Sequence, residues 1–192
     1  MDAIQRNVYT PGMIIYGLGN TGSKYTGTRH NVGRDIVTSL AGQMQSKQGY
    51  SYKTIEGKTY LVSNGFMNDS GVPLASFIGY FKHASGPLII LQDDSDQVEG
   101  SVKLLPKGGS GGHHGINSIY AHILKTPFTL DDIWRVKIGI RPQGNALKSE
   151  TFVLSRSSAV IDKVAEKLAA TLQAMPVSID LAKLQNTING KI

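Results

Sequence analysis

The side chains of this sequence best suited to chemistry lie in three polar segments that combine glycine with Asn, His or Asp. The segments cover residues 18–31, 65–71 and 91–117, and each follows an apolar run. An imidazole can take a proton from water near neutral pH, a carboxylate can orient that imidazole, and an amide can bind a carbonyl oxygen. Ligands of open α/β sheets bind beyond the carboxyl ends of strands, so we expect the three segments to converge on one pocket.

The first of these segments continues from MIIYGLGNTG, residues 13–22, which carries the Gly-x-Gly-x-x-Gly spacing of a dinucleotide-binding turn. Such a site requires a helix that begins inside the motif, because its first N–H groups hold the pyrophosphate. Here the polar stretch SKYTGTRHN follows, and the apolar helical period starts only near Val32. The sequence therefore argues against a nucleotide site. It favours a strand-end loop that presents Asn20, Arg29, His30 and Asn31.

The elements that must position these loops alternate between strands and helices, with one hairpin inserted. Predicted strands cover 13–17, 50–55, 58–63, 87–91, 101–105 and 135–140. Predicted helices cover about 31–47, 74–81, about 116–124, 160–175 and about 178–188. This alternation predicts a single three-layer α/β domain, a twisted mixed β-sheet flanked by helices. We expect one domain over residues 1–192, with 1–12 as an N-terminal extension.

The composition excludes several classes of site and protein. The sequence contains no cysteine, which excludes disulfides, thiolate metal sites and cysteine nucleophiles. No apolar run approaches the ~20 residues that a membrane-spanning helix needs, so no membrane role is expected. The segment MDAIQRNVYTPG has no apolar centre and does not resemble a secretory signal. We therefore expect a cytoplasmic protein, with a mitochondrial location as the alternative.

Basic residues are concentrated in the last third of the chain. The formal net charge is +6, and residues 134–192 hold nine Lys and Arg against four Asp and Glu. A basic surface at one end of the chain favours a polyanionic partner such as RNA. The alternative, a charge that serves only solubility, stays open on this observation alone.

Four motifs in chain order carry a family resemblance: GLGNTGSKYTGTRHNVG, FMNDSG, DDSD and KGGSGGHHGINSI. Together they resemble the signatures of bacterial-type peptidyl-tRNA hydrolases over residues 13–141, and more weakly through FVLSR and the C-terminal helix. That family cleaves the ester between a peptide and the 3′ ribose of tRNA, which releases tRNA from prematurely dropped peptidyl-tRNA. The resemblance implies an esterase with peptidyl-tRNA as its partner, mostly monomeric, without cofactor or metal.

The resemblance also implies catalytic roles. His30 matches the general base that activates water, and Asp93 matches the carboxylate that orients it. Asp96 is the alternative acid, since Asp94 and Asp96 lie beside Asp93. Asn20 matches an amide that positions the substrate and stabilises the oxyanion, and Asn68 a substrate-binding amide.

Further candidates for substrate binding are Tyr25, Met67, His113 and His114, of which His113 matches a histidine of the family. Met67 supplies either an apolar wall for the peptide or only core packing. At His114 the sequence departs from the pattern, because the family usually has Asn there. A histidine is larger and can donate, accept or carry charge, so the rate or its pH dependence is open to change. Ser110 is a second departure, since a histidine is common at that position. Adjacent loop histidines rarely ligate one ion together, and we expect no metal.

Candidate contacts to tRNA phosphates are Lys103, Lys107 and Arg135, of which Lys103 and Arg135 match positions that are basic in the family. Contacts of this kind bind every tRNA alike and weaken with salt. The alternative function is a non-catalytic RNA-binding relative of the same fold, which the unusual His114 favours.

Overall fold

The computed structural model describes residues 12–81, 86–144 and 148–191. Within them, seven strands form a single mixed sheet, and five α-helices pack on its two faces. The fold class predicted from the sequence is confirmed. The expected extension at 1–12 lies almost entirely outside the described residues.

The sheet has four parallel strands at its centre and antiparallel strands at its edges. Its order is β2-β3-β4-β1-β5-β7-β6, and β1 pairs in parallel with both β4 and β5, while β5 pairs in parallel with β7. The strands are β1 Met13–Gly17, β2 Gln45–Lys47, β3 Tyr50–Ile55, β4 Lys58–Ser63, β5 Leu88–Val98, β6 Val102–Pro106 and β7 Ile133–Arg141. The parallel strands end at the same edge, which gathers the polar loops that follow them.

The helices are α1 Val32–Ala41, α2 Gly71–Tyr80, α3 His114–Ile123, α4 Ala159–Ala174 and α5 Leu181–Lys191. Two apolar cores hold them against the sheet. Ile89 and Leu91 of β5 face the core that contains residues of α1, α4 and α5, while Leu88 and Ile90 face the core that contains residues of α2 and α3. The alternation along β5 is that of a strand buried on both faces, and it produces the three layers.

The helix predicted over about 31–47 is wrong after Ala41. It ends at Ala41, because Gly42 takes a φ of 60° and breaks the helical path. Residues Gln45–Lys47 then pair with Tyr50–Tyr52 as an antiparallel edge strand. Met44, expected on the helix, still packs partly buried against the core.

The strand predicted over 87–91 is too short. Backbone pairing with β7 continues through Gln92, Asp93 and Asp94, with an irregular register before Val98. The DDSD motif, expected in a loop, therefore belongs to β5. This places Asp93 on a rigid strand rather than on a flexible segment. Among the described residues, no helix has the length and apolarity needed to span a membrane.

Candidate active site

A cavity of about 450 Å³ opens at the carboxyl ends of the parallel strands. Its walls come from the loop after β1, the turn after β4, the end of β5 and the glycine-rich loop before α3. Six predicted site residues line it: His30, Met67, Asn68, Asp93, His113 and His114. The three polar segments therefore converge on one pocket, as the sequence predicts.

His30 lies in a short 3-10 turn, Arg29–Asn31, just before α1. Its Nδ1 is 2.9 Å from Oδ2 of Asp93. Burial lowers the pKa of His30, but the hydrogen bond and the charge of Asp93 outweigh burial and raise it above the ordinary 6.5. Because Nδ1 faces the carboxylate, the neutral ring carries its proton there, and Nε2 is left as the basic nitrogen.

Asp93 is only 3% exposed and lies between two histidines. Its Oδ1 is 3.3 Å from Nε2 of His113, and its Oδ2 contacts His30. Burial favours the neutral acid, but the hydrogen bonds from His113 and His30, together with their charges, lower the pKa of Asp93 to about 2. Asp93 is therefore an anion at neutral pH and can stabilise an imidazolium as it forms.

The neighbouring acids are engaged differently. Asp94 forms an ion pair of 2.6 Å with Lys137. The side chain of Asp96 is 82% exposed, and its Oδ1 is 3.9 Å from Arg141. Of the three acids, Asp93 is the one whose carboxylate contacts His30.

Asn20 supports the turn after β4. Its Oδ1 accepts the backbone N–H of Met67 at 2.9 Å, and its backbone is held on both sides by the Asn31 amide. No partner for the Asn20 Nδ2 is found in the described part of the chain, so this N–H₂ is the donor left over. Asn68 is exposed and lines the cavity, whereas Met67 is 2% exposed and packs in the core.

His113 and His114 hold different positions although they are adjacent. The His113 ring is the N-cap of α3, where Nδ1 accepts the Ile116 N–H at 3.4 Å while Nε2 faces Asp93. His114 is the first residue of α3, is exposed and lines the cavity. The residue that departs from the family pattern therefore has access to a bound substrate.

Tyr25 is not part of the cavity wall. Its ring makes an edge-to-face contact with Phe66, with centroids 6.2 Å apart, and Lys24 Nζ lies 4.8 Å from the centre of the same ring. Phe66 is 54% exposed and precedes Met67. The pair forms an aromatic surface beside the turn that carries Met67 and Asn68.

The three predicted phosphate contacts are not equivalent. Lys103 is exposed on β6, and Lys107 is an exposed cation that pairs with Asp131. Arg135 is 4% exposed, and its Nη2 donates to the Lys107 carbonyl at 3.3 Å. Its Nε and Nη1 have no partner among the described residues. This burial does not favour the direct phosphate contact expected of Arg135.

The sequence did not reveal the contacts that hold the His30 loop. The backbone N–H groups of Arg29 and His30 donate to Ser155 and Val153, at 3.0 and 2.8 Å. The Arg29 side chain donates to Glu99 at 2.7 Å. Val153 and Ser155 lie in FVLSR, which resembles the family only weakly, and they are far from the loop in the sequence, so no local signal shows that they hold it.

Two further observations bear on the location and kind of chemistry. A cleft of about 490 Å³ lies between α1 and α4, but its lining contains Asp35, Asp162 and Glu166 and no histidine, so the acid–base pair belongs to the other cavity. Among the described residues, no cluster of His, Asp or Glu is arranged to hold a metal ion.

The fold and this site define an α/β protein with a histidine–carboxylate pair able to activate water. The family model for peptidyl-tRNA hydrolase matches residues 14–192. The peptidyl-tRNA hydrolase of Teredinibacter turnerae is 36% identical over 159 residues, which cover 78% of this chain and 80% of that one. The enzyme of Shouchella clausii is 31% identical over 191 residues, which cover 92% and 99%. The chain belongs to the peptidyl-tRNA hydrolase family.

Solved structures agree with this assignment. A crystal structure of peptidyl-tRNA hydrolase from Acinetobacter baumannii is similar with a TM-score of 0.77 and 27% identity, covering 94% of this chain and 96% of that one. A chloroplastic peptidyl-tRNA hydrolase from Arabidopsis thaliana is 36% identical over 151 residues, which cover 73% of this chain and 51% of that one. The family resemblance of the four motifs is confirmed.

Proposed function

We propose that this protein hydrolyses the ester between a peptide and the 3′ ribose of tRNA, with His30 as general base. The observation that carries the proposal is the contact of 2.9 Å between His30 Nδ1 and buried Asp93 at the wall of an open cavity. Membership of the peptidyl-tRNA hydrolase family supplies the substrate.

The reaction begins when Nε2 of His30 takes a proton from water and the hydroxide attacks the ester carbonyl. Asp93 stabilises the imidazolium that results. Asn68 donates to the oxyanion of the tetrahedral intermediate from the cavity wall, and His114 extends the same polar wall. Asn20 is not among the residues that line the cavity, and it supports Asn68 by accepting the N–H of Met67. The intermediate collapses as the ribose oxygen leaves and takes the proton back from His30.

Binding of the two halves of the substrate is divided between different surfaces. Asn68 contacts the peptide, the buried Met67 beneath it forms an apolar base for this contact, and the Tyr25–Phe66 surface beside them extends it. Lys103 and Lys107, both exposed, contact tRNA phosphates without reading sequence. Arg135, which bonds the Lys107 carbonyl, supports this contact from beneath the loop.

We also propose that the protein acts as a monomeric single domain in the cytoplasm, without metal or cofactor. One chain supplies every residue of the proposed site, and all seven described strands join in one sheet. Water activated by an imidazole needs no Lewis acid to attack an ester.

The test is single-turnover hydrolysis of a labelled N-acetyl-aminoacyl-tRNA by the wild type and by His30→Ala. Removal of the general base lowers the rate by about 10²–10⁴-fold, while tRNA binding in a filter assay is retained. His122→Ala is the matched control, because His122 lies in α3 outside the cavity. A wild type that binds tRNA without turning it over would leave a non-catalytic RNA-binding protein, whereas equal and measurable rates for the wild type and His30→Ala would rule out His30 as the base.

A further inference from the structure

His113 uses both of its ring nitrogens inside the protein. Nε2 is 3.3 Å from Asp93 Oδ1, and Nδ1 is 3.4 Å from the backbone nitrogen of Ile116. The side chain is only 10% exposed. Although its ring lies at the cavity wall, neither nitrogen is left to bind a substrate.

We propose that His113 is a positioning residue: it fixes the carboxylate of Asp93, and through it the ring of His30, instead of binding substrate. The inference rests on the proposed function of His30 and Asp93. It replaces the substrate contact that the family resemblance implies for His113.

The tautomer of His113 follows from its neighbours. The Ile116 N–H can only donate, so Nδ1 must present a lone pair and carries no proton. The proton of the neutral ring is then on Nε2, where it points at the Asp93 carboxylate. Capping of α3 thus turns the ring into a donor on the side of Asp93.

The second donor matters because a carboxylate held by one hydrogen bond can turn about its Cβ–Cγ bond. Here each oxygen has its own imidazole, Oδ2 facing His30 and Oδ1 facing His113. The plane of Asp93 is therefore fixed from two directions, and the His30 ring that bonds to it is held with Nε2 free as base.

The His113 ring also connects Asp93 to the turn of Met67 and Asn68, which forms the peptide-binding side of the cavity. His113 caps α3, whose Gly115 lies so close to Met67 that an added Cβ would be 3.0 Å from the Met67 side chain. His113 thus connects Asp93 to the start of α3 and to the turn at Met67. The spacing between the base and the peptide-binding residues depends on this connection.

Two amide substitutions separate the functions of the two ring nitrogens. The Asn amide lies where Nδ1 lies, so His113→Asn keeps the N-cap and loses the donor to Asp93. The Gln amide reaches the position of Nε2, so His113→Gln keeps the donor and loses the cap.

We expect His113→Asn to lower kcat about tenfold with KM unchanged, since a hydrogen bond to a charged group is lost. We expect His113→Gln to keep kcat within about threefold while Tm falls by about 2–4 °C.

An NMR measurement tests the tautomers directly and does not depend on turnover. Long-range ¹H–¹⁵N spectra of the wild type should show neutral His113 with its proton on Nε2, and neutral His30 with its proton on Nδ1. In His113→Asn the His30 ring should become a mixture of tautomers. In His113→Gln the proton of the neutral His30 ring should remain on Nδ1.

Three results would overturn the inference. One is a proton on Nδ1 of His113 in the wild type. Another is a kcat lower in His113→Gln than in His113→Asn, which would leave only the helix cap. The third is a KM that rises in the His113 variants while kcat stays constant, which would show that His113 binds substrate. If the wild type shows no turnover, the proposed function fails, and the two His30 spectra still decide whether His113 positions the ring.

Discussion

Arg29 and Glu99 form a largely buried ion pair that fastens the loop of the candidate base to the end of β5. Arg29 Nη1 is 2.7 Å from Glu99 Oε2 and 2.8 Å from the Ile140 carbonyl. Ser158, the N-cap of α4, donates to the same glutamate oxygen at 2.8 Å. Three distant parts of the chain therefore meet directly beside His30.

Glu99→Gln removes the negative charge from this junction and leaves Arg29 without its counter-charge. We expect the free energy of unfolding to fall by about 2 kcal/mol and kcat to fall with it, because the His30 loop loses an anchor. Urea unfolding and single-turnover rates check both effects.

The control for this substitution is Asp131→Asn. It breaks the ion pair with Lys107, in which the side chain of Lys107 is 57% exposed and that of Asp131 is 76% exposed. Solvent screens such pairs, so its cost in unfolding free energy is well under 1 kcal/mol. A Glu99→Gln protein as stable as Asp131→Asn would contradict the anchoring role.

The pH dependence of the rate should follow His30. Its raised pKa predicts a rate that climbs with pH through a midpoint above 6.5 and levels off once the ring is neutral. Asp93→Asn removes the carboxylate charge, so the midpoint moves to lower pH and the maximal rate falls by about 10²–10⁴-fold. Single-turnover rates measured from about pH 5.5 to 8.5 test this expectation.

Asp96→Asn provides the comparison, because Asp96 is an acid of the same motif with an exposed side chain. We expect its pH–rate profile to match that of the wild type.

The raised pKa of His30 also has a consequence for stability. Folding raises the pKa of His30, so protonated His30 stabilises the fold fully below pH 6.5, and this contribution is lost as pH rises through the folded pKa.

His114 supplies a polar contact to the substrate if it serves in place of the usual amide. His114→Asn should then keep kcat/KM within about threefold, while His114→Ala, which lacks a polar group, should lose about tenfold. Steady-state kinetics with one tRNA substrate compare the two variants. Equal values for the wild type and His114→Ala would remove His114 from the substrate wall.

Lys103 is exposed on β6 and should contribute one phosphate contact. Lys103→Ala should weaken binding to all tRNAs alike and reduce the slope of log K against log salt concentration by about one. Lys163→Ala on α4 is the matched control, since it removes the same charge from an exposed helix position. Equal slopes for both variants would show that the effect of Lys103 is only one of net charge.

Much of the fold could be predicted because its core strands are short apolar runs with turn residues between them. Residues 87–91 show this well, since the run is apolar throughout and residues 88–91 are buried on both faces of the sheet. Strand β2 could not be found in the same way. Gln45–Lys47 is polar and exposed, and it exists only because Tyr50–Tyr52 pairs with it.

The site likewise has features that the local sequence predicts and features that depend on distant parts of the chain. The motifs predicted that His30 and Asn68 lie in one cavity, because each follows a parallel strand that ends at this edge, and Asp93 lies in the last part of β5. The same rule does not account for His114, since β6 before its loop is antiparallel to β7 and ends at the opposite edge. The burial of Arg135 was not predictable, since an arginine on a strand gives no local sign of what covers it. Its cover is the loop of Lys107 and Gly108, which approaches from elsewhere in the chain.

The backbone bonds from Arg29 and His30 to Ser155 and Val153 have a consequence for synthesis on the ribosome. The partner of the His30 N–H lies 123 positions further along the chain, so the backbone of the loop around the base lacks these two bonds until that late segment has emerged. Closing so long a loop carries an entropic cost that the rest of the sheet must offset first. A chain interrupted before residue 153 would hold the four main motifs of the site and still lack the backbone bond that anchors His30.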